Sequence, residues 1–227
     1  MVKKEDTINQ NGHRSAKISA TMKARRVDNF KRWRAEHPVF YADLPRNGDL
    51  AEYIGVVLGD GHIEKFPRTE RITIAGDTRK PEYIWRYAAL TEKLFYKKPT
   101  VAKEKNVNAL RISLYQKFIS KRLGIPTGDR KNFPYRLPQW ISHNKRYTLG
   151  FLRGLFEAEG YLSIHLPTCT YNFAFVNYNQ HLLLIVKNLL IQLEFHPEVR
   201  HNAIRIRRRA EVIRLKELIH FRDYSHS

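Results

Sequence analysis

The chain is 227 residues long, with 41 Lys and Arg against 22 Asp and Glu and a formal net charge of +19. A charge that far from zero points to a polyanionic partner, nucleic acid above all, although a basic ribosome-associated protein would carry the same number. A hydrophobic content of 42% excludes wholesale disorder, the single Cys169 excludes an intramolecular disulfide and any Cys-based zinc site, and no apolar run reaches membrane-span length.

Residues 1–47 read as a basic arm. Apolar residues are sparse (Ile18, Met22, Val27, Phe30, Trp33), and the spacing predicts two short basic helices, the first capped by Ser15. Pro38 and Pro45 bracket the exit. The arm is either a solvated tail or a segment lying on a phosphate backbone through Lys17, Lys23, Arg25, Arg26, Lys31, Arg32 and Arg34. The interleaved aromatics favour the second.

From residue 48 one pattern runs twice. In the first copy an apolar helix spans 48–59 and ends at Asp60-Gly61. Strands follow near 62–66 and 71–76, then a helix over 80–95, strands near 100–105 and 109–115, and a short helix at 116–123. Residues 124–145 hold Gly and Pro and predict an extended linker. The second copy gives a helix over 146–158, strands near 161–166 and 171–177, a helix over 180–194, strands near 196–200 and 203–208, and a helix over 210–221. The expected fold is α+β: two pseudo-symmetric αββαββα halves, 48–123 and 146–227.

The strands alternate. In ALRISLY, Leu110, Ile112 and Leu114 share one face; in GYLSIHL, Leu162, Ile164 and Leu166 do so; in NAIRIRRR, Ile204 and Ile206 do so. The opposite faces carry Arg, His, Ser, Thr and Tyr and are short of acids, Glu64 excepted. Such a face can lie in a DNA groove, contacting base edges and phosphates. The candidate contacts are Lys65, Arg68, Arg71, Thr73, Lys103, Lys105, Arg111 and Ser113 in the first half. In the second they are Tyr161, Ser163, His165, Arg200, Arg205 and Arg207.

The two copies also align residue by residue. IGVVLGDG at 54–61 lies over RGLFEAEG at 153–160, so that Gly55 meets Gly154, Gly59 meets Ala158, and Asp60 meets Glu159. Small residues four apart allow two helix backbones to approach closely, with Gly55 and Gly154 as packing points. The helix ends would then bring Asp60 and Glu159 together, with Gly61 and Gly160 in the positive-φ position of a helix C-terminus. Two carboxylates at the negative ends of two helices oppose stability. A divalent cation such as Mg²⁺, held by Asp60, Glu159 and the carbonyls of Gly59 and Ala158, resolves that conflict. A metal held by carboxylates beside a basic sheet suits phosphodiester hydrolysis.

LAEYIGVVLGDG (50–61) and TLGFLRGLFEAEG (148–160) resemble the paired motifs of LAGLIDADG homing endonucleases, and the join LGIPTGDRKNFPYRLPQW is similar to the linker of single-chain members. The resemblance covers about 48–222. It implies a monomer with saddle-shaped sheets on double-stranded DNA. Catalytic Asp60 and Glu159 would each ligate Mg²⁺ (or Mn²⁺) for one strand, with cuts across the minor groove leaving 3′ overhangs. The implied target is long, asymmetric and read partly through bending. In many members Lys or Gln ends the second strand of each half, whereas here Gly76-Asp77 and Asn177-Tyr178-Asn179 stand there; Lys65, Lys103 and Lys105 are candidate substitutes. The alternative on the same fold is a non-catalytic binder, an intron RNA maturase or a DNA-binding regulator. An intracellular, DNA-associated location is expected.

Overall fold

The computed structural model describes residues 5–36 and 41–224, the side chains of helix residues 5–18 and 34 excepted. Ser15, Lys17, Ile18 and Arg34 as side chains, and Pro38, lie outside the described residues. The chain divides into two units, at Ala42/Asp43. In the first, α1 is one helix, Glu5–Glu36, of 32 residues, where the sequence suggested two. No Gly or Pro falls within 13–36, and Ala, Lys and Arg recur there, so nothing in that stretch ends the helix. Its Met22, Val27, Phe30 and Trp33 are all exposed, so it has no core of its own.

The second unit runs α2 (Gly48–Gly59), β1 (Gly61–Lys65), β2 (Glu70–Asp77), α3 (Pro81–Phe95), β3 (Thr100–Lys103), β4 (Ala109–Gln116), α4 (Ile119–Leu123) and α5 (Gln139–Ser142). After these come α6 (Lys145–Glu159), β5 (Gly160–His165), β6 (Thr170–Val176), α7 (Gln180–Gln192), β7 (Glu198–Arg200), β8 (Ala203–Ile206) and α8 (Arg209–Leu218). Two four-stranded antiparallel sheets result, ordered β1-β2-β4-β3 and β5-β6-β8-β7. Their inner faces, Ile63, Ile72, Ile74, Ile112 and Leu114 in one and Phe173, Phe175, Ile204 and Ile206 in the other, are buried in a continuous core with the helices.

α2 and α6 form the seam between the halves. Asn47 caps α2 by accepting from Leu50 N–H at 2.9 Å, and Asn144 caps α6 in the same way. A Cβ on Gly154 would fall on the Glu52 carbonyl oxygen, and one on Gly55 on that of Phe151, so neither position admits a side chain. Gly150 extends the stripe: its Cβ would lie 2.9 Å from the Gly48 carbonyl oxygen.

Three expectations change. Gly61 and Gly160 do not adopt positive φ: Asp60 caps α2 at φ −88°, and Gly160 is extended at φ −94°. The chain passes straight from helix to strand, and glycine is needed because a Cβ would strike the preceding turn, 2.6 Å from Val57 Cα at Gly61 and 2.9 Å from Phe156 Cα at Gly160. The join at 124–145 is not merely extended. It contains α5, buries Ile125, Tyr135 and Ile141, and ties to β1 through Gly128 N–H and the Ile63 carbonyl. Lastly, Ile164 keeps the inner register, paired with the buried Tyr171, but is itself exposed, and Leu166 is exposed where the chain leaves the strand for a 3₁₀ segment at Leu166–Thr168.

Candidate metal centre and nucleic-acid interface

Asp60 caps α2 and Glu159 is the last residue of α6. The helix ends touch: a Cβ on Gly59 would lie 2.5 Å from Ala158 Cβ. Burial pushes the Asp60 carboxyl up to about 7, the Tyr83 hydroxyl pulling it back, the Glu159 charge adding to the rise and Lys80 opposing it. Burial raises Glu159 as well. The Tyr83 hydroxyl donates to Asp60 Oδ2 at 2.6 Å.

This donor set fits a hard divalent cation. It offers two carboxylates that repel each other, at helix ends whose last carbonyls, including Gly59 and Ala158, have no following turn to bond. Among the described residues no cluster of three or more His, Cys, Asp or Glu could hold a metal. Two carboxylates alone suit Mg²⁺, which commonly keeps several waters and takes substrate phosphate oxygens as its remaining ligands.

Each acid faces its own cavity. Asp60 lines one of about 380 Å³ with Gly76, Asp77, Lys80, Tyr83 and Tyr161. Glu159 lines one of about 470 Å³ with His62, Arg130, Lys131, Asn177, Tyr178 and Leu182. Each cavity is therefore walled by the second-strand end of the acid's own half and by the first strand of the other half. Asp77 is bound to Arg79, 2.6 Å from Asp77 Oδ2, and that partner holds its carboxyl down at about 2. Lys65 and Lys103 pair with Glu70 and Leu110, on the core-facing register at strand ends, and Lys105 lies in the β3–β4 turn; none lines either cavity. The ammonium groups at the cavities belong to Lys80 and to Lys131, whose Nζ sits 5.8 Å from the Tyr178 ring centre.

The remaining sheet residues largely share the outer faces. Cross-strand rows set His62, Thr73 and Ser113 together, then Glu64, Arg71 and Tyr115, then Ala75 and Arg111. In the other sheet Tyr161 aligns with Ala174 and Arg205, Ser163 with Asn172, His165 with Thr170, and Arg200 with Ala203. Arg207 follows β8 directly, and Arg68 lies in the β1–β2 turn. This face holds more acid than the sequence suggested. Glu64 pairs with Arg71, Glu104 with Arg111, and Glu198 with Arg200 at 3.6 Å. Arg71 also donates to the Tyr115 hydroxyl at 3.2 Å and lies over the Phe66 and Tyr115 rings, so its guanidinium is held in one place.

Behind the Asp60 cavity lies a buried polar network that the sequence pattern did not reveal. Glu52, 2% exposed, accepts from Arg86 and Arg153 at 2.9 Å each and from Arg222. Glu157 accepts from Tyr87 at 2.9 Å, Arg222 Nε at 2.7 Å and Tyr224 at 3.0 Å. The signal present in the sequence was a charged residue within the apolar run of each motif helix, Glu52 in one and Arg153 and Glu157 in the other.

Residues 146–224 match the family model described as a LAGLIDADG-like domain. Among curated proteins, the tRNA-splicing ligase RtcB of Methanopyrus kandleri is 26% identical over 141 residues, 54% of this chain and 14% of that protein, so the chain spans a small part of that relative. Among solved structures, I-DmoI in complex with DNA and Mn superposes with a TM-score of 0.55 at 17% identity, over 81% of this chain and 99% of that one. The N-terminal LAGLIDADG domain of DUF199/WhiA gives a TM-score of 0.54 at 16% identity, over 82% and 86%.

Proposed function

We propose that this LAGLIDADG protein is a divalent-metal-dependent, site-specific endonuclease that hydrolyses one phosphodiester in each strand of double-stranded DNA, across the minor groove, leaving 3′ overhangs. The observation that carries the reading is the pair Asp60 and Glu159. Both are half-buried at adjoining helix ends, and their cavities are also lined by His62 and Tyr161 of the sheets' outer faces. The homing endonuclease I-DmoI, solved with DNA and Mn, has the same fold.

In this reading Asp60 and Glu159 hold Mg²⁺, with Mn²⁺ as a substitute. The bound ion would lower the pKa of a water and neutralise charge on the leaving oxygen. Lys80 and Lys131 present positive charge to the phosphates entering their cavities, in place of the strand-end Lys or Gln. The sheet arginines fix the duplex backbone and its register. The test is to incubate the protein and Mg²⁺ with a pooled library of duplex targets and sequence the cut ends. Paired cuts with a constant 3′ stagger are expected. DNA retained without cuts in Mg²⁺ or Mn²⁺ would transfer the reading to the alternative, a non-catalytic DNA or intron-RNA binder, which the Gly76 and Asn177–Asn179 strand ends favour.

The arm enters as a backbone-binding segment. Lys23, Arg25, Arg26, Lys31 and Arg32 are all exposed on α1. Deleting residues 1–42 is expected to flatten the fall of log affinity with log salt by about 0.9 for each phosphate that the arm neutralises. Fluorescence anisotropy over a salt series reads this, and an unchanged slope removes the arm from the interface.

A further inference from the structure

We infer that Tyr83 is a positioning residue for Asp60 and that it makes the two acid sites inequivalent, so that the two DNA strands are cut with different requirements. This rests on the endonuclease reading above. Tyr83 is 4% exposed, and its hydroxyl donates to Asp60 Oδ2 at 2.6 Å. That bond occupies one carboxylate oxygen, fixes rotation of the group and leaves Oδ1 for a cation. The ring itself is clamped by edge contacts to Tyr87 at 4.9 Å and Tyr224 at 5.6 Å. The hydroxyls of those two tyrosines are in turn committed to Glu157.

Gly76 belongs to the same arrangement. A Cβ there would lie 2.9 Å from Tyr83 Cδ1 and 3.0 Å from Ile84 Cδ1. At Gly76, one of the two residues standing where the resemblance leads one to expect Lys or Gln, the Tyr83 ring leaves no room for a side chain. The other half is built differently. Tyr83 is the third residue of α3, and the third residue of α7 is Leu182, which lines the Glu159 cavity and has nothing to donate. Among the described residues no hydrogen-bond donor reaches the Glu159 carboxylate. A group that orients a metal ligand from behind governs that site alone, and its loss typically costs 10–100-fold in metal affinity or rate.

The experiment compares the full-length wild type with Tyr83→Phe and Tyr87→Phe. Mn²⁺ is titrated into DNA-free protein with free Mn²⁺ read by electron paramagnetic resonance, and cleavage is followed with each strand labelled separately. Tyr83→Phe is expected to weaken one class of Mn²⁺ site by about 10–100-fold and spare the other. It should slow one strand by a similar factor, so that nicked duplex accumulates. Tyr87→Phe, which leaves the Tyr83–Asp60 hydrogen bond in place, should do neither, and circular dichroism melts establish that both variants fold. Tyr83→Phe matching a wild type that binds Mn²⁺ and cuts would overturn the positioning role alone. Equal slowing of both strands, or the same effect from Tyr87→Phe, would also overturn it in favour of simple packing. A wild type that neither binds Mn²⁺ nor cuts would remove the endonuclease reading, and this inference with it.

Discussion

Asp60→Asn is expected to abolish double-strand cleavage while leaving DNA affinity almost unchanged, and to make the protein more stable. The first effect follows from losing the carboxylate that holds the cation for one of the two strands. The several kcal/mol of charge stabilisation a catalytic metal supplies correspond to about 10³-fold or more in rate. Gel assays with labelled strands read the loss, and a binding isotherm in Ca²⁺ reads the retained affinity. Glu159→Gln should behave in the same way. Full cleavage by Asp60→Asn would end the catalytic reading.

The stability gain follows from linkage. The Asp60 carboxyl titrates near 7 in the folded chain, chiefly because it is buried, against an ordinary value of 3.8. Between those values the folded chain holds a proton that the unfolded chain has released, so stability falls as pH rises through this window. Above pH 7 the full penalty of a buried charge remains. Asparagine removes it. In EDTA at pH 8 the variant should melt above the wild type, each kcal/mol regained being worth about 2–4 °C in a chain of this size, and the gap should close towards pH 4. Mg²⁺ should raise the melting point of the wild type more than that of the variant, which keeps Glu159. A variant that melts lower at pH 8 would show that the carboxylate is stabilised in some other way.

Glu52→Ala should be among the most destabilising single changes in the core, costing about 3–5 kcal/mol. Glu52 binds Arg86 of its own half, Arg153 of the other half and Arg222 beyond α8. Removing it leaves three guanidinium groups at the seam without their shared carboxylate. Burial alone would raise the Glu52 carboxyl, but Arg222 and Arg86 outweigh it, and it ends below the ordinary carboxylate range. Its contribution is therefore present above pH 4–5, the range of a free glutamate, and is lost as pH falls through its depressed folded value. Urea denaturation at pH 7 should show the wild-type advantage, which narrows in acid. A loss under about 1 kcal/mol would mean that the arginines find water or other partners.

The helices, strands and seam were legible in the sequence because they are local or repeated. Ile72, Ile74, Ile112 and Leu114 alternate within their own strands, and Gly55 and Gly154 stand in the same place in two copies. The partners of the acids were not legible. Tyr83 meets Asp60 across 23 residues, and Arg222 meets Glu52 across 170, with no local pattern to link either pair. Lys80 and Lys131 reach the cavities because a helix start and the packed join place them there. Lys65 and Lys103 looked equally suitable in composition, but their strand register turns them towards the core side. α1 was split into two because its apolar residues are too few to mark one continuous face.

At Gly55, Gly150 and Gly154 the seam between the halves is backbone against backbone, so its close approach does not depend on which side chains distinguish one half from the other. The Glu52–Arg153–Arg222 lock is a private agreement between these particular halves. A hybrid that joins one of them to a half from another chain with the same glycine stripe would inherit the docking geometry and lose the lock. Interchange of halves is thus geometrically open, and the toll on each new pairing falls on the buried charges left to be rematched.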